Sequence, residues 1–342
     1  MRPFSVVFPI IIILVAPACT KNRSDHFDGR HYCNYERTNE RSAIRVIEWY
    51  LTRRPSKWPR LIPSTFGATP PVSVGPGQLS AVFVNHASVL VQFDSLNILL
   101  DPVWSERVSP VSFAGPKRVR APGIAFSQLP PIHGVLVSHD HYDHLDMPTL
   151  KRLKNRFNPL FVVPRGCAKR FKGTGIIRVV ELDWWQSTSK IGAKIYVVPA
   201  RHSSGRSLAD RDRTLWGGFV ILSRGGPIYF AGDTGYGKHF KMIRRRFGPV
   251  RFAVLPIGAY KPRWFMRTVH MDPADAVRAH RDLEALRSMA VHFGTFPLAD
   301  EPIDEPPRLL AALLKKGKIP TGRFIIPLEG MPYGIPALSP KK

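Results

Sequence analysis

Four short apolar runs in this 342-residue chain each lead to a histidine or an aspartate, and a fold that uses them must bring several strand ends together. The densest case is Gly134–Val137, which enters Ser138-His139-Asp140-His141-Tyr142-Asp143-His144-Leu145-Asp146. Three further runs repeat the pattern: Lys194–Pro199 leads to His202, Ile228–Ala231 to Asp233, and Met289–Val291 to His292. In an extended segment, residues two apart point the same way, so His139 and His141 face one point while Asp143 and His144, beyond the bend, can face another. Loops at one edge of an α/β sandwich converge, so ligands from distant segments can meet around metal. Neutral imidazole and carboxylate suit Zn²⁺, and Fe or Mn fit the same donors.

Between these points the chain alternates strand and helix patterns. The alternating runs Ser80–Phe93 and Leu96–Leu100 predict a hairpin around Asp94-Ser95, followed by Asp101-Pro102. Further strands are expected at Leu160–Val163, Ile176–Leu182, Gly218–Leu222, Phe252–Leu255 and Arg323–Ile326, with helices at Pro148–Arg156, Lys238–Phe247, Pro273–Ser288 and Pro306–Lys316. Asp272 and Pro273 supply a cap and a first-turn proline for the third helix. Interleaving of this kind predicts a single α/β domain, over 76–342, rather than two separate ones. A polar and Pro-rich segment, 19–75, precedes it as an extension and linker.

The first nineteen residues carry a separate message. Arg2 precedes an apolar run, Phe4–Ala16, too short for the roughly 20 residues of a spanning helix and suited to a signal-peptide core. The run ends Val15-Ala-Pro-Ala-Cys19, which resembles a bacterial lipobox and implies a signal peptide over 1–18, lipidation of Cys19, and export to the cell envelope as a membrane-anchored lipoprotein. Cys19, Cys33 and Cys167 lack the number and spacing of a disulfide framework or a thiolate zinc site, so any metal falls to histidine and carboxylate. Cys33 and Cys167 could pair in an oxidising compartment.

Fifty Lys and Arg against 25 Asp and Glu give a net charge of +25, and removing residues 1–18 takes away only Arg2, leaving +24. A surface so charged attracts anions over several ångströms. An anionic membrane, a phospholipid or another anionic small molecule is the expected partner. Nucleic acid is disfavoured, because no separate nucleic-acid module is visible. A homodimer is left open.

The segment His139-Asp-His-Tyr-Asp-His144 resembles the HxHxDH motif of the metallo-β-lactamase superfamily. Asp101–Pro110, Phe113–Arg120, Phe230–Tyr236, Arg263–Met266, His270–Pro273 and His292–Phe296 are similar to the branch containing N-acylphosphatidylethanolamine-hydrolysing phospholipase D and its bacterial relatives, a likeness running from about Asp25 to Pro307. The resemblance implies an αββα metallo-β-lactamase sandwich, two mixed sheets flanked by helices, with a metal site at one edge. It implies two Zn²⁺ per chain: His139, His141 and His202 on one, Asp143, His144 and His292 on the other, and Asp233 bridging. A shared hydroxide would then attack phosphorus, with Asp143 also able to hold its proton. His270 would line the pocket and protonate the leaving group or bind phosphate. Tyr142, Tyr236 and Trp264 are substrate-contact candidates on the same grounds. Asn85-His86 stands where many relatives have Gly-His, and is expected to be a loop that does not touch the ligands.

The leading reading is a zinc-dependent, phospholipase-D-like phosphodiesterase acting on N-acyl phospholipids or related membrane lipids. A lactonase or other small-ester metallo-hydrolase is the alternative, since such a site fixes hydrolysis and leaves the substrate open. A non-catalytic envelope lipoprotein is the third reading.

Overall fold

Period-two alternation builds the sandwich. In the strand Leu79–Asn85, Ala81 and Phe83 face the space between two sheets, while Val82 and Val84 face outward onto a separate buried cluster. The computed structural model describes residues 24–36, 43–63, 67, 69–207, 209–320 and 322–339. The expected signal peptide and Cys19 lie outside the described residues.

In chain order the elements are α1 (Ala43–Thr52), β1 (Leu79–Asn85), β2 (Ser88–Phe93), β3 (Leu96–Leu100), β4 (Gly134–Leu136), α2 (Met147–Phe157), β5 (Leu160–Pro164), β6 (Val179–Leu182), β7 (Ser187–Thr188), β8 (Ile195–Val198), β9 (Gly218–Ser223) and β10 (Gly226–Phe230). There follow α3 (His239–Phe247), β11 (Phe252–Pro256), α4 (Arg263–Met266), α5 (Pro273–Asp282), β12 (Arg287–Val291), α6 (Glu305–Lys316), β13 (Phe324–Ile325) and β14 (Pro332–Gly334). One sheet has the order β14-β1-β2-β3-β4-β5-β6 and the other β13-β12-β11-β10-β9-β8-β7. Each mixes antiparallel pairs with parallel ones, β3-β4-β5-β6 in the first and β10-β11-β12-β13 in the second.

Phe83, Val91, Ile98 and Leu136 from the first sheet meet Phe219, Phe230, Val254 and Val291 from the second in the central core. Leu150 and Leu153 of α2 cover the outer face of the first sheet. Phe240 and Ile243 of α3, Ala276 and Ala279 of α5, and Leu310 of α6 cover the second. The layers are therefore helix, sheet, sheet, helix.

Three local expectations are corrected. Ser80–Phe93 is two strands, not one: the chain reverses at His86, whose φ is +45°, and β1 pairs antiparallel with β2. The helix expected over Pro273–Ser288 stops at Asp282, because Glu284 takes a left-handed φ of +46° and Arg287 must begin β12 beside β11. The strand expected from Ile176 begins only at Val179.

Residues of the N-terminal segment lie against the domain. His26 stacks on Trp184 at 3.9 Å between ring centroids, Arg54 N–H donates to Asp300, and Trp58 Nε1–H donates to the Glu301 carbonyl. Cys33 is exposed and Cys167 buried, and both are free thiols. Among the described residues no helix is long and apolar enough to cross a membrane.

Candidate metal centre

Residues just past the ends of β4, β8, β10 and β12 converge at one edge of the sandwich. From β4 come His139, His141, Asp143 and His144; His202 follows β8, Asp233 follows β10, and His292 follows β12 directly. Gly232 lets the chain turn before Asp233: its φ is +59°, and a Cβ there would fall 2.6 Å from the Cβ of Ser138. Gly258 leaves room for His292, since a Cβ on it would lie 2.0 Å from the His292 carbonyl oxygen.

Two groups of donors form. His139, His141 and His202 make the first, with His139 Nε2 2.8 Å and His202 Nε2 3.4 Å from His141 Nδ1. Asp143, His144 and His292 make the second, and His86 joins them. Asp233 stands between: Oδ2 lies 3.3 Å from His144 Nε2 and 3.7 Å from His202 Nε2, while Oδ1 lies 3.2 Å from His292 Nε2. The structure thus gathers every histidine and carboxylate singled out as a metal ligand.

Outer groups orient the rings. His139 Nδ1–H donates to Ser138 Oγ, which donates to Asp101 Oδ2; His144 Nδ1–H donates to the same oxygen at 2.6 Å. His202 Nδ1–H donates to the Val269 carbonyl at 3.0 Å. Each of these three bonds occupies Nδ1 and turns Nε2 toward the cluster, the arrangement that metal-binding histidines require. Asp140 steadies the loop from beneath, accepting two bonds from Arg170 and one from Gly205 N–H.

Electrostatics divides the groups. Burial pushes the His139 ring well below the usual imidazole range, with His144 and His141 adding to the effect, and burial also lowers His141. Both therefore present neutral imidazole. Burial opposes charge on His292 too, but the Asp233 and Asp143 carboxylates overcome it and raise that ring to about 9. Burial likewise disfavours ionised Asp143 and Asp233, yet His144 beside them holds both carboxyls well below the usual range. A field that strongly favours positive charge at a cluster of imidazoles and carboxylates suits a divalent cation. Among the described residues, His144 Nε2, His292 Nε2 and Asp233 Oδ1 are buried without hydrogen-bond partners, as atoms reserved for coordination would be.

His86 is the member that sequence reasoning missed. Its Nε2 is 2.9 Å from Asp143 Oδ2 and its ring centroid 4.2 Å from that of His292, so the expectation that Asn85-His86 stays clear of the ligands is corrected. The available signal was length: 14 alternating residues exceed an ordinary strand, and the polar pair at the middle marks the turn. Asp101, which follows a strand and opens one of the motifs of the resemblance, lies buried beneath the His139 and His144 rings and so takes a part in the site.

The other candidates spread around this centre. His270 Nδ1 lies 3.8 Å from Asp233 Oδ2, with its ring 5.1 Å from that of His202. Tyr142 packs under the Arg206 guanidinium, 4.3 Å from the ring centre, and borders a cleft of about 600 Å³. Tyr236 donates its hydroxyl to Asp282 and lies under Arg278, while Trp264 is partly exposed beside Phe265.

Two mixed sheets between helices, carrying a His/Asp cluster at one edge, define a metal-dependent hydrolase of metallo-β-lactamase fold. Residues 96–293 match the beta-lactamase superfamily domain, and the chain belongs to that superfamily. It is 40% identical over 251 residues to N-acyl-phosphatidylethanolamine-hydrolyzing phospholipase D 1 of Caenorhabditis elegans, covering 68% of this chain and 70% of the nematode protein. It is also 40% identical over 282 residues to an uncharacterized protein of Mycobacterium tuberculosis, covering 80% and 75% of the two chains. The isothiocyanate hydrolase from Delia radicum gut bacteria has the same fold, with a TM-score of 0.59 at 20% identity over 74% of this chain and 98% of that one. So does Igni18, a metallo hydrolase from Ignicoccus hospitalis, with a TM-score of 0.56 at 19% identity over 75% and 98%.

Proposed function

We propose that the protein is a zinc-dependent phosphodiesterase of phospholipase D type, acting on N-acylated phospholipids or related membrane lipids. The observation that carries this reading is Asp233, which stands between two donor groups, its Oδ2 3.7 Å from His202 of the first and 3.3 Å from His144 of the second, each group large enough to hold one ion. Zinc ions in such a pair supply an activated water and positive charge for a phosphoryl group in transit. His139, His141 and His202 would hold one ion, Asp143, His144 and His292 the other, and Asp233 both.

The chain's remaining groups divide the other tasks. His270 stands at the edge of the cluster, 12% exposed, where its ring can carry a proton to a departing oxygen or meet a phosphate. Arg206 and Arg107 line the cleft beside Tyr142 and favour an anionic substrate. Val111, which lines the same cleft, and Phe113, 81% exposed close by in the chain, offer apolar surface to acyl chains. The 40% identity to a phospholipase D supports the same substrate class. In this reading the chain works at the cell envelope as a lipoprotein anchored through Cys19, with its basic surface toward an anionic membrane.

The metal-loaded protein should contain about two zinc equivalents and convert N-acylphosphatidylethanolamine to phosphatidic acid and N-acylethanolamine, with oxygen from labelled water in the phosphatidic acid. Chelation should abolish turnover. Hydrolysis of lactones with none of any phospholipid would overturn the phosphodiesterase reading in favour of small-ester hydrolysis.

A further inference from the structure

A cavity of about 500 Å³ lies next to the metal centre in the fold without being lined by its ligands. Arg201 on its wall directly precedes His202, and Arg263 donates from Nη1 to the His270 carbonyl at 3.0 Å. The walls come from five separate stretches of chain, and six basic side chains face two carboxylates.

The carboxylates do not neutralise this charge. Asp275 is taken by Arg263 at 2.7 Å and reaches Arg278 only at 3.5 Å, with Asp272 also on Arg263 at 3.2 Å. Glu36 accepts from the backbone N–H of Lys238 at 2.6 Å. Lys241 finds its acid, Asp282, at 3.8 Å, and Asp282 already accepts from the Tyr236 hydroxyl. Arg201 gives Nη1 to the neutral carbonyl of Tyr236. Lys238 and Arg267 are exposed and form no ion pair among the described residues.

Cationic groups on an ordinary solvated face spread apart to lower their mutual repulsion. Here they converge on a concavity, where low-dielectric walls focus their field on whatever enters. Guanidinium and ammonium donors together suit the several oxygens of a phosphate.

We propose that this cavity is a second anion site that binds a phosphate group, free in solution or on a lipid headgroup, apart from the group hydrolysed at the metals. It rests on the cavity's own charge and stands whether or not the metal centre cleaves phospholipids.

The test uses calorimetry with inorganic phosphate on the metal-loaded protein, and co-sedimentation with phosphatidylglycerol vesicles against phosphatidylcholine vesicles. The variant Lys238→Ala/Arg267→Ala is compared with Lys315→Ala/Lys316→Ala, which loses the same charge from the exposed end of α6. Metal content and melting temperature should match wild type in both. A phosphate-binding event weakened at least tenfold in the first variant alone supports the site, because any binding at the metals survives in both. Loss of vesicle binding in that variant as well assigns the phosphate to a headgroup, and retained vesicle binding assigns it to a free ion. Phosphate and vesicle binding equal to those of the control variant would overturn the proposal. Arg278→Gln repeats the measurement with a single exposed change, should the double variant fold poorly.

Discussion

His86 Nε2–H donates to Asp143 Oδ2 at 2.9 Å, while the His86 carbonyl accepts from His292 N–H at 2.6 Å. One residue at a strained turn thus holds two members of the second donor group. Burial, helped by His292, lowers the His86 ring to about 4, so it serves as a neutral donor. His86→Ala should lower metal affinity or rate by about 10- to 100-fold, the usual cost of removing such a partner. Metal content should fall toward one ion per chain, and His86→Gln, which keeps a donor, should recover part of the loss. Unchanged metal content and rate in the alanine variant would reduce His86 to packing.

Asp233 and His270 should separate by their response to substitution. Asp233→Asn weakens the one carboxylate that faces both donor groups and should cost about 10²-fold or more in rate together with metal. His270→Ala should keep metal and melting temperature while losing turnover. Metal analysis, thermal unfolding and rates on both variants decide this. Metal loss from His270→Ala would put that ring among the ligands.

Asn34 ties the N-terminal segment to the candidate ligand His202. Its Oδ1 accepts from His202 N–H at 3.0 Å and from Trp216 Nε1–H at 3.1 Å, and its Nδ2 donates to the His202 carbonyl at 2.8 Å. Asn34→Ala should cost about 1–2 kcal/mol of stability through the lost pairings and weaken metal binding. Denaturant unfolding with and without chelator measures both effects. Equal metal affinity would show that His202 is held without it.

Cys19→Ser should abolish acylation and release the protein from the membrane fraction, since an apolar core of this length is too short to span. Lipid labelling of the wild type and fractionation of the variant provide the readings. An unlabelled wild type, or a variant cleaved normally before residue 19, would point to an ordinary signal peptide.

The clustering of the candidate ligands was legible because coordination would demand particular atoms, and a histidine-rich strand end has few other uses. Strand identities were legible for the same kind of reason, as at Phe252–Pro256, where a wholly buried run has little choice. What could not be read depended on contacts between distant segments. The turn at His86 carries no glycine or proline and is held by bonds to Thr295 and His292. The end of α5 has no stop residue, and the apolar pattern through Leu283 and Ala285 continues because both stay buried after the helix ends. Pro332–Gly334 forms an edge strand through its partner β1, with little β propensity of its own.

The donors that follow β4 belong to one sheet, and those that follow β8, β10 and β12 belong to the other. An ion held by both kinds is therefore a rivet through the mouth of the sandwich. A chain made during metal starvation would lack that fastening, and its open edge would be the place where proteases begin.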